Sequence, residues 1–340
     1  MKKTLSNLGE FGLIRKIRAG QPTAKKRLIR GMGDDAAVFR PAPGKVIVVT
    51  TDLLVENIHF SREWASWVEI GEKALAVNLS DLAAMGAVEP VGYLVGLSLP
   101  VDTPVHIVDN LYQGLGKIAQ KYRCALLGGD TVAALNTIEI SITLFGEANP
   151  EELVYRQGAK PGDKIFVSGC LGGSAAGLLA LKKGLKKNKK AGKIVQEHLL
   201  PQPKIELASR LAKQKLVNSM IDCSDGLDLS LKFIAEESGV GMKALLEQIP
   251  LGAETVYWAK RWGINPVQWA LSGGEDYQLI FTVPPGKAGS VGKISPSVTL
   301  IGEVVKGEKI SYLDEKGKET KIAGGGYDHF AGGKLNRNVN

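Results

Sequence analysis

Residues 75–90 read LAVNLSDLAAMGAVEP. Leu75, Val77, Leu79, Leu82 and Met85 give this stretch the look of a packed helix, which needs a sheet or another helix to bury it. One carboxylate, Asp81, stands in its middle. The residues three and four positions away are Asn78, Val77, Ala84 and Met85, none of them a cation. No local ion pair therefore explains the acid, and its partner has to come from elsewhere.

The flanking sequence supplies the sheet. KVIVVTTD precedes the helix, and VGYLVGLSLP follows it as a strand ended by Pro100. VHIVDNLYQGLGKIAQKY has helical spacing, and CALLGGD reads as a short buried strand running into a glycine turn. NTIEISITLFGE alternates cleanly, with Ile138, Ile140, Ile142 and Leu144 on one face, the mark of a half-buried strand. EFGLIRKIRA near the start reads as a helix, and RGMGDDAAVFRPAPG as a turn. ANPEELVYRQGAKPGD reads as a connection. Beyond it come a strand, KIFVSG, and a helix opened by CLGGSAAG with Ser174 as its expected N-cap. PKIELASRLAKQ and DGLDLSLKFIAEESG are further helices, and LSGGEDYQLIFTVP and VTLIGEVV carry strands. Strands and helices mix without the strict alternation of a doubly wound sheet. The expectation is α+β, with two domains, residues 1–148 and 149–340, each a mixed sheet packed with helices. A chain of 340 residues is long for one core and natural for two.

Composition excludes several classes. Apolar residues make up 44%, too many for a disordered chain. The start, MKKTLSNLGEFGLIRKIRAG, is basic but lacks the long apolar core of a signal peptide. No apolar run is long enough for a membrane span. The net charge of +8 hints at nucleic acid, but KKGLKKNKKAGK at 182–193 holds seven lysines and no acid. Without that tract the chain is close to neutral. The tract also has no aromatic residues for base stacking, so it reads as a solvated helix end, and neither a nucleic-acid nor a membrane partner is expected. Cys124, Cys170 and Cys223 are sparse, odd in number and without metal-ligand spacing, which points to reduced thiols and a cytoplasmic protein.

The chemistry-bearing residues are acids in glycine, serine or threonine company: Asp34 and Asp35 in GMGDDAAV, Asp52 in TTD, Asp130 in GGDT, Asp222 and Asp225 in DCSDG. Clustered carboxylates repel one another unless a cation joins them. Oxygen donors suit Mg²⁺ or Ca²⁺ rather than zinc, and the EF-hand spacing is absent. Mg²⁺ with phosphate oxygens completing its shell is the natural candidate. GCLGGSAAG could offer backbone N–H groups to a phosphate or be a plain structural turn. It is not a Walker A loop, and the kinase H-R-D and D-F-G pair is missing. Of His59, His106, His198 and His329, only His59 lies near the acids in sequence. No nucleophilic triad stands out, so metal ions and positioning are expected to carry the chemistry.

These segments together resemble the thiamine-monophosphate kinase family of the aminoimidazole ribonucleotide synthetase-like, ATP-using superfamily. The matching stretches are GEFGLI, GMGDDAAV, TTDLLVENIHF, KALAVNLSDLAAMGA, GGDT, RQGAKPGD, DCSDGL, SGGEDYQLIF and GGYDHF, in family order over nearly the whole chain. The resemblance implies ATP-dependent conversion of thiamine monophosphate to thiamine diphosphate. It implies several Mg²⁺ ions on Asp35, Thr50, Thr51, Asp52, Asp81, Asp130, Asp222 and Asp225. It implies ATP contacts at Gly129, Asp130, Arg156 and Ser224, and substrate contacts at His59, Glu275 and Tyr327. Tyr327 could stack on a ring of the substrate or pack as core. The first domain would bind metal and ATP and dimerise through its strands, and the second would complete the ATP and substrate sites. Two departures stand out. The family's loop often reads L-G-D-S-A-A-G, whereas this chain has Gly173 at the acid position. GGDTVAALN also lacks the basic residue and glycine that commonly follow G-G-D-T. Other readings are a selenophosphate synthetase or an aminoimidazole ribonucleotide synthetase of the same superfamily. The first usually carries a reactive cysteine in a glycine-rich leader, whereas the first cysteine here is Cys124.

Overall fold

The structure is a computed structural model that describes residues 4–20, 28–30, 36–320 and 325–327. Its contacts divide into two units, residues 1–82 with 88–151, and residues 83–87 with 152–340.

In the first unit the strands are β1 (Leu28–Arg30), β2 (Val38–Phe39), β3 (Val46–Val55), β4 (Glu89–Pro100), β5 (Ala125–Ala134) and β6 (Glu139–Ala148). The helices are α1 (Leu5–Leu8), α2 (Glu10–Gly20), α3 (Trp67–Ala84) and α4 (Val105–Tyr122). The main sheet runs β3-β6-β4-β5, with β4 and β5 parallel and the other pairs antiparallel. The alternation legible in β6 is real: Ile138, Ile140, Ile142 and Leu144 are buried. They meet Tyr93, Val95 and Leu97 of β4 across the register. On β3 the side chains of Thr50, Asp52 and Leu54 alternate with the exposed Val49, Thr51 and Leu53. α3 and α4 approach so closely that a Cβ on Gly114 would lie 2.0 Å from the Val68 carbonyl oxygen. Glycine is the only residue that permits that approach.

The GG of CALLGGD is strand, not turn. β5 continues through Gly128 and Gly129 to Ala134, held by parallel pairing with β4. A Cβ on Gly129 would stand 2.0 Å from the Val95 carbonyl oxygen, so this glycine serves a close backbone approach. Asp52 and Asp130 accordingly lie inside strands rather than at their ends.

The second unit holds β7 (Lys164–Val167), β8 (Ser219–Asp222), β9 (Gly241–Leu245), β10 (Leu279–Val283), β11 (Thr299–Val305) and β12 (Ile310–Leu313). Its helices are α5 (Gly173–Lys182), α6 (Gly192–Leu199), α7 (Ile205–Lys213), α8 (Leu227–Ser238), α9 (Ala253–Trp262), α10 (Pro266–Ser272) and α11 (Ala288–Ile294). The sheet order is β12-β9-β11-β7-β10-β8, antiparallel except for β12 with β9. Both faces are covered. Ile165, Val167, Ile221 and Ile280 pack into one cluster with α8 and α10, while Phe166, Met220, Leu279 and Phe281 pack into another with α7 and α11. Continuous apolar runs such as residues 165–167 and 279–281 follow from that double burial. No helix among the described residues is long and apolar enough to cross a membrane, and all three cysteines are free thiols.

Candidate functional site

In the first unit a hydroxyl meets Asp81. Thr50 Oγ1 donates to Asp81 Oδ2 at 2.5 Å, joining β3 to α3. Asp52 lies two residues along β3, so its side chain is on the same face as that of Thr50. Thr51 points the other way and its hydroxyl donates to the Ile142 carbonyl at 3.0 Å. Thr50, Asp52 and Asp81 offer only hard oxygen donors, which is the chemistry Mg²⁺ favours.

Asp130 belongs to a different place. The register sets it opposite Gly96, in the row of Ser141 and Leu53, on the sheet face turned away from Asp52. β3 and β5 are also the two edges of the sheet, three strand spacings or about 14 Å apart. One ion cannot bridge Asp52 and Asp130 of the same chain. Asp130 Oδ1 accepts from the Thr131 N–H at 2.9 Å, and Gly129 sits in the row of Asp52. Among the described residues no three His, Cys, Asp or Glu side chains stand as a preformed metal cage. Asp35 lies outside the described residues.

His59 closes a turn after β3. Its Nδ1 accepts from the Val55 N–H at 3.0 Å, which places the ring proton on Nε2. Its own carbonyl accepts from Lys73 Nζ at 3.1 Å. Lys73 is buried, so this link ties the turn to α3.

In the second unit DCSDG and SGGEDY extend the β8–β10 pairing beyond the strands. The Cys223 N–H donates to the Gln278 carbonyl at 2.7 Å, Tyr277 N–H to Cys223 at 2.9 Å and Glu275 N–H to Ser224 at 2.6 Å. Asp222 ends β8 and is buried, and Ser224 and Asp225 follow it, the Ser224 hydroxyl donating to Asp225 Oδ2 at 3.2 Å. Glu275 and Tyr277 both adopt left-handed backbone, with φ of 66° and 49°. Strained non-glycine residues of this kind cluster at functional sites.

Between them lies Asp276, a residue that sequence reasoning passed over. Its Oδ2 accepts from the Gly172 N–H at 2.6 Å and its Oδ1 from the Ser174 N–H at 3.1 Å. This corrects one expectation and bears on a reading left open. Gly172, not Ser174, is the N-cap position of α5, and the N–H groups offered as a phosphate cradle are engaged by a carboxylate of the chain itself. Burial pushes the Asp276 carboxyl up to about 7, although the Gly172, Ser174 and Gly173 N–H groups favour its ionised form. The space a side chain at Gly173 would need is filled by Glu197 of α6, whose Oε2 lies 1.8 Å from the position of a Cβ.

Arg156 is exposed, with its guanidinium 5.4 Å from the centre of the Phe233 ring on α8. Tyr327 is half-buried. The segment leading to it is tied down by a second acid that the sequence did not reveal. Asp228, buried on α8, accepts from the Gly325 N–H at 2.8 Å and from the Tyr312 hydroxyl at 2.6 Å. A Cβ on Gly326 would lie 2.4 Å from the Asp225 carbonyl oxygen, so Tyr327 follows directly on that contact.

Two α+β domains carrying oxygen-donor acids define a protein of the AIR synthase related type. Its N-terminal domain model matches residues 33–148, and its C-terminal domain model matches residues 160–314. A thiamine-monophosphate kinase of Aquifex aeolicus is 37% identical over 327 residues, covering 96% of this chain and 99% of its own. The crystal structure of a thiamine-monophosphate kinase from Stenotrophomonas maltophilia superposes with a TM-score of 0.81 at 31% identity, covering 92% of this chain and 98% of the other. A structure of AaThiL complexed with AMPPCP and TMP gives a TM-score of 0.76 at 35% identity, covering 97% of this chain and all of that one. The chain belongs to the thiamine-monophosphate kinase family.

Proposed function

We propose that this chain transfers the γ-phosphoryl group of ATP directly to the phosphate of thiamine monophosphate, giving ADP and thiamine diphosphate. The observation that carries the proposal is the Thr50–Asp81 oxygen pair, 2.5 Å across, in a chain similar from end to end to thiamine-monophosphate kinases.

The acceptor phosphate is already ionised near neutral pH, so no protein base has to create the nucleophile. That fits a chain with four histidines, of which His59 holds a turn. The obstacle is charge. Two unit charges at 4 Å repel by about 4 kcal/mol at an effective dielectric near 20, and each phosphate group carries more than one. Mg²⁺, when bound, offsets that repulsion and stabilises charge on the transferring group.

The chain's own part is to hold the oxygen donors and orient both substrates. Thr50, Asp52 and Asp81 form one ligand set on the helix face of the first sheet. Thr51 and Asp130 belong to its opposite face, and Asp35, Asp222 and Asp225 complete the metal ligands. Gly129, Asp130, Arg156 and Ser224 meet ATP. His59, Glu275 and Tyr327 meet thiamine monophosphate, where a carboxylate suits the cationic thiazolium and an aromatic ring suits stacking. The protein works in the cytoplasm, in thiamine diphosphate biosynthesis, as a homodimer. The face of the first sheet turned away from Asp52, with Val49, Leu53 and Val132 each more than half exposed, supports dimerisation there. Light scattering tests that arrangement.

Purified protein with Mg²⁺, ATP and thiamine monophosphate is expected to form thiamine diphosphate, and EDTA to stop it until Mg²⁺ is restored. Absence of turnover by folded protein in excess Mg²⁺ would sink the proposal.

A further inference from the structure

We propose that His198 is a positioning residue for thiamine monophosphate, holding the Glu275 carboxylate in the orientation that meets the substrate. The inference rests on the assignment of Glu275 as a substrate contact.

His198 is the penultimate residue of α6 and only 5% exposed. Its Nδ1 lies 3.3 Å from Glu275 Oε2 and 3.0 Å from Ser174 Oγ. A ring nitrogen facing a carboxylate oxygen at that distance carries the proton, because two lone pairs would repel. Nδ1 thus stands within reach of both the Glu275 carboxylate and the Ser174 hydroxyl and tethers the two to α6. α5 and α6 allow this reach by packing closely: a Cβ on Gly177 would lie 2.0 Å from the Ile194 carbonyl oxygen and 3.0 Å from the Cβ of His198.

The Glu275 backbone is held independently. Its N–H donates to Ser224 at 2.6 Å, Tyr277 N–H donates to Cys223 at 2.9 Å, and the intervening Asp276 grips α5 through Gly172 and Ser174. The peptide of Glu275 is thus immobilised in left-handed geometry, while its side chain still has three rotatable bonds. His198 acts on that remaining freedom by holding one carboxylate oxygen. A purely packing role would be filled as well by a leucine, which removes only the Nδ1 contacts to Glu275 and Ser174.

Kinetics with the full-length protein test this. His198→Leu is expected to raise KM for thiamine monophosphate about tenfold, the size of one hydrogen bond to a charged group. KM for ATP should stay within about twofold, because no ATP contact changes. His198→Asn, whose amide nitrogen falls near the place of Nδ1, is expected to recover KM to within about threefold. Glu275→Gln should raise the same KM, and adding His198→Leu to it should raise it little further. An unchanged KM for thiamine monophosphate in His198→Leu overturns the inference. So do equal effects of Leu and Asn, or a fully additive double variant. If Glu275→Gln alone keeps the wild-type KM, the assignment of Glu275 fails and this inference with it. Wild-type turnover reports separately on the kinase reaction.

Discussion

Asp81 and Asp276 are both aspartates among apolar or glycine neighbours, one in each unit, and their surroundings differ in kind. Asp81 meets a hydroxyl, Thr50 Oγ1, beside a second acid on β3. All three side chains of that trio offer oxygen donors, the chemistry of the Mg²⁺ site proposed above. Asp276 is engaged by the N–H groups that open α5, donors with partial positive charge supplied by the helix itself. The first acid links α3 to β3 through a hydroxyl. The second acts as a bolt between β10's leading loop and α5. A carboxylate's role follows from what its neighbours still lack, which the motif around it does not disclose.

The largest effect should come from breaking the first of these. Asp81→Asn keeps the size and the contact with Thr50 but removes the charge. Turnover is expected to fall by about a thousandfold, roughly 4 kcal/mol of transition-state stabilisation, with the circular dichroism spectrum and unfolding midpoint unchanged. Near-normal rates would remove Asp81 from the metal ligands.

Breaking the second should act on stability. Asp276→Ala leaves the buried N–H groups of Gly172 and Ser174 without acceptors, at about 1–3 kcal/mol for each. A total loss near 3 kcal/mol in urea unfolding is expected. Asp276→Asn gives a finer test through pH. The Asp276 carboxyl is raised in the folded protein to about 7, above its value in the unfolded chain. Folding therefore takes up a proton in the interval between the two. Its contribution to stability is fully present below the unfolded value and is lost as pH rises through about 7. Wild-type stability should fall relative to Asp276→Asn between about pH 4 and pH 7, and parallel curves would show that burial does not raise this group.

The same contrast explains what was legible in the sequence. The β6 alternation, the two-faced strands KIFV and LIFTV and the helices α3, α4, α7 and α8 follow from local periodicity, and all are present. The GG of β5 misled because glycine marks turns by default, whereas here it admits the Val95 carbonyl. Asp81 could be singled out because an acid on an apolar helix violates a local rule, whereas Thr50 entered only through the family resemblance. Asp276, Asp228 and His198 violate none. Their partners lie in remote segments, about 100 residues away for Asp276 and Asp228, so no window on the chain brings them together. The visible signal near Asp276 is SGGEDY itself, where two glycines precede an acid that must turn sharply. The short elements α6, α9, α10, β9 and β12 went unread for the same reason, since tertiary packing defines them more than their own spacing does.

Asp228 sharpens the contrast as an intermediate case. It is buried, whereas Asp276 is half-buried, and its two carboxylate oxygens accept from a side chain and from the backbone of a distant segment. Burial and the Asp228 carboxylate push the Tyr312 phenol up, so the hydroxyl stays protonated and donates. Tyr312→Phe removes that donor and leaves Asp228 with the Gly325 N–H and with Lys232, whose Nζ is 4.0 Å from Oδ2. The expected loss is about 1 kcal/mol in urea unfolding, the net worth of one ordinary hydrogen bond, with kinetic constants unchanged. A loss near 3 kcal/mol would mean that Asp228 is left effectively bare, as Gly172 and Ser174 would be without Asp276. A raised KM for thiamine monophosphate would mean instead that the Tyr312 bond keeps Asp228 aimed at Gly325, and through it controls where Tyr327 stands.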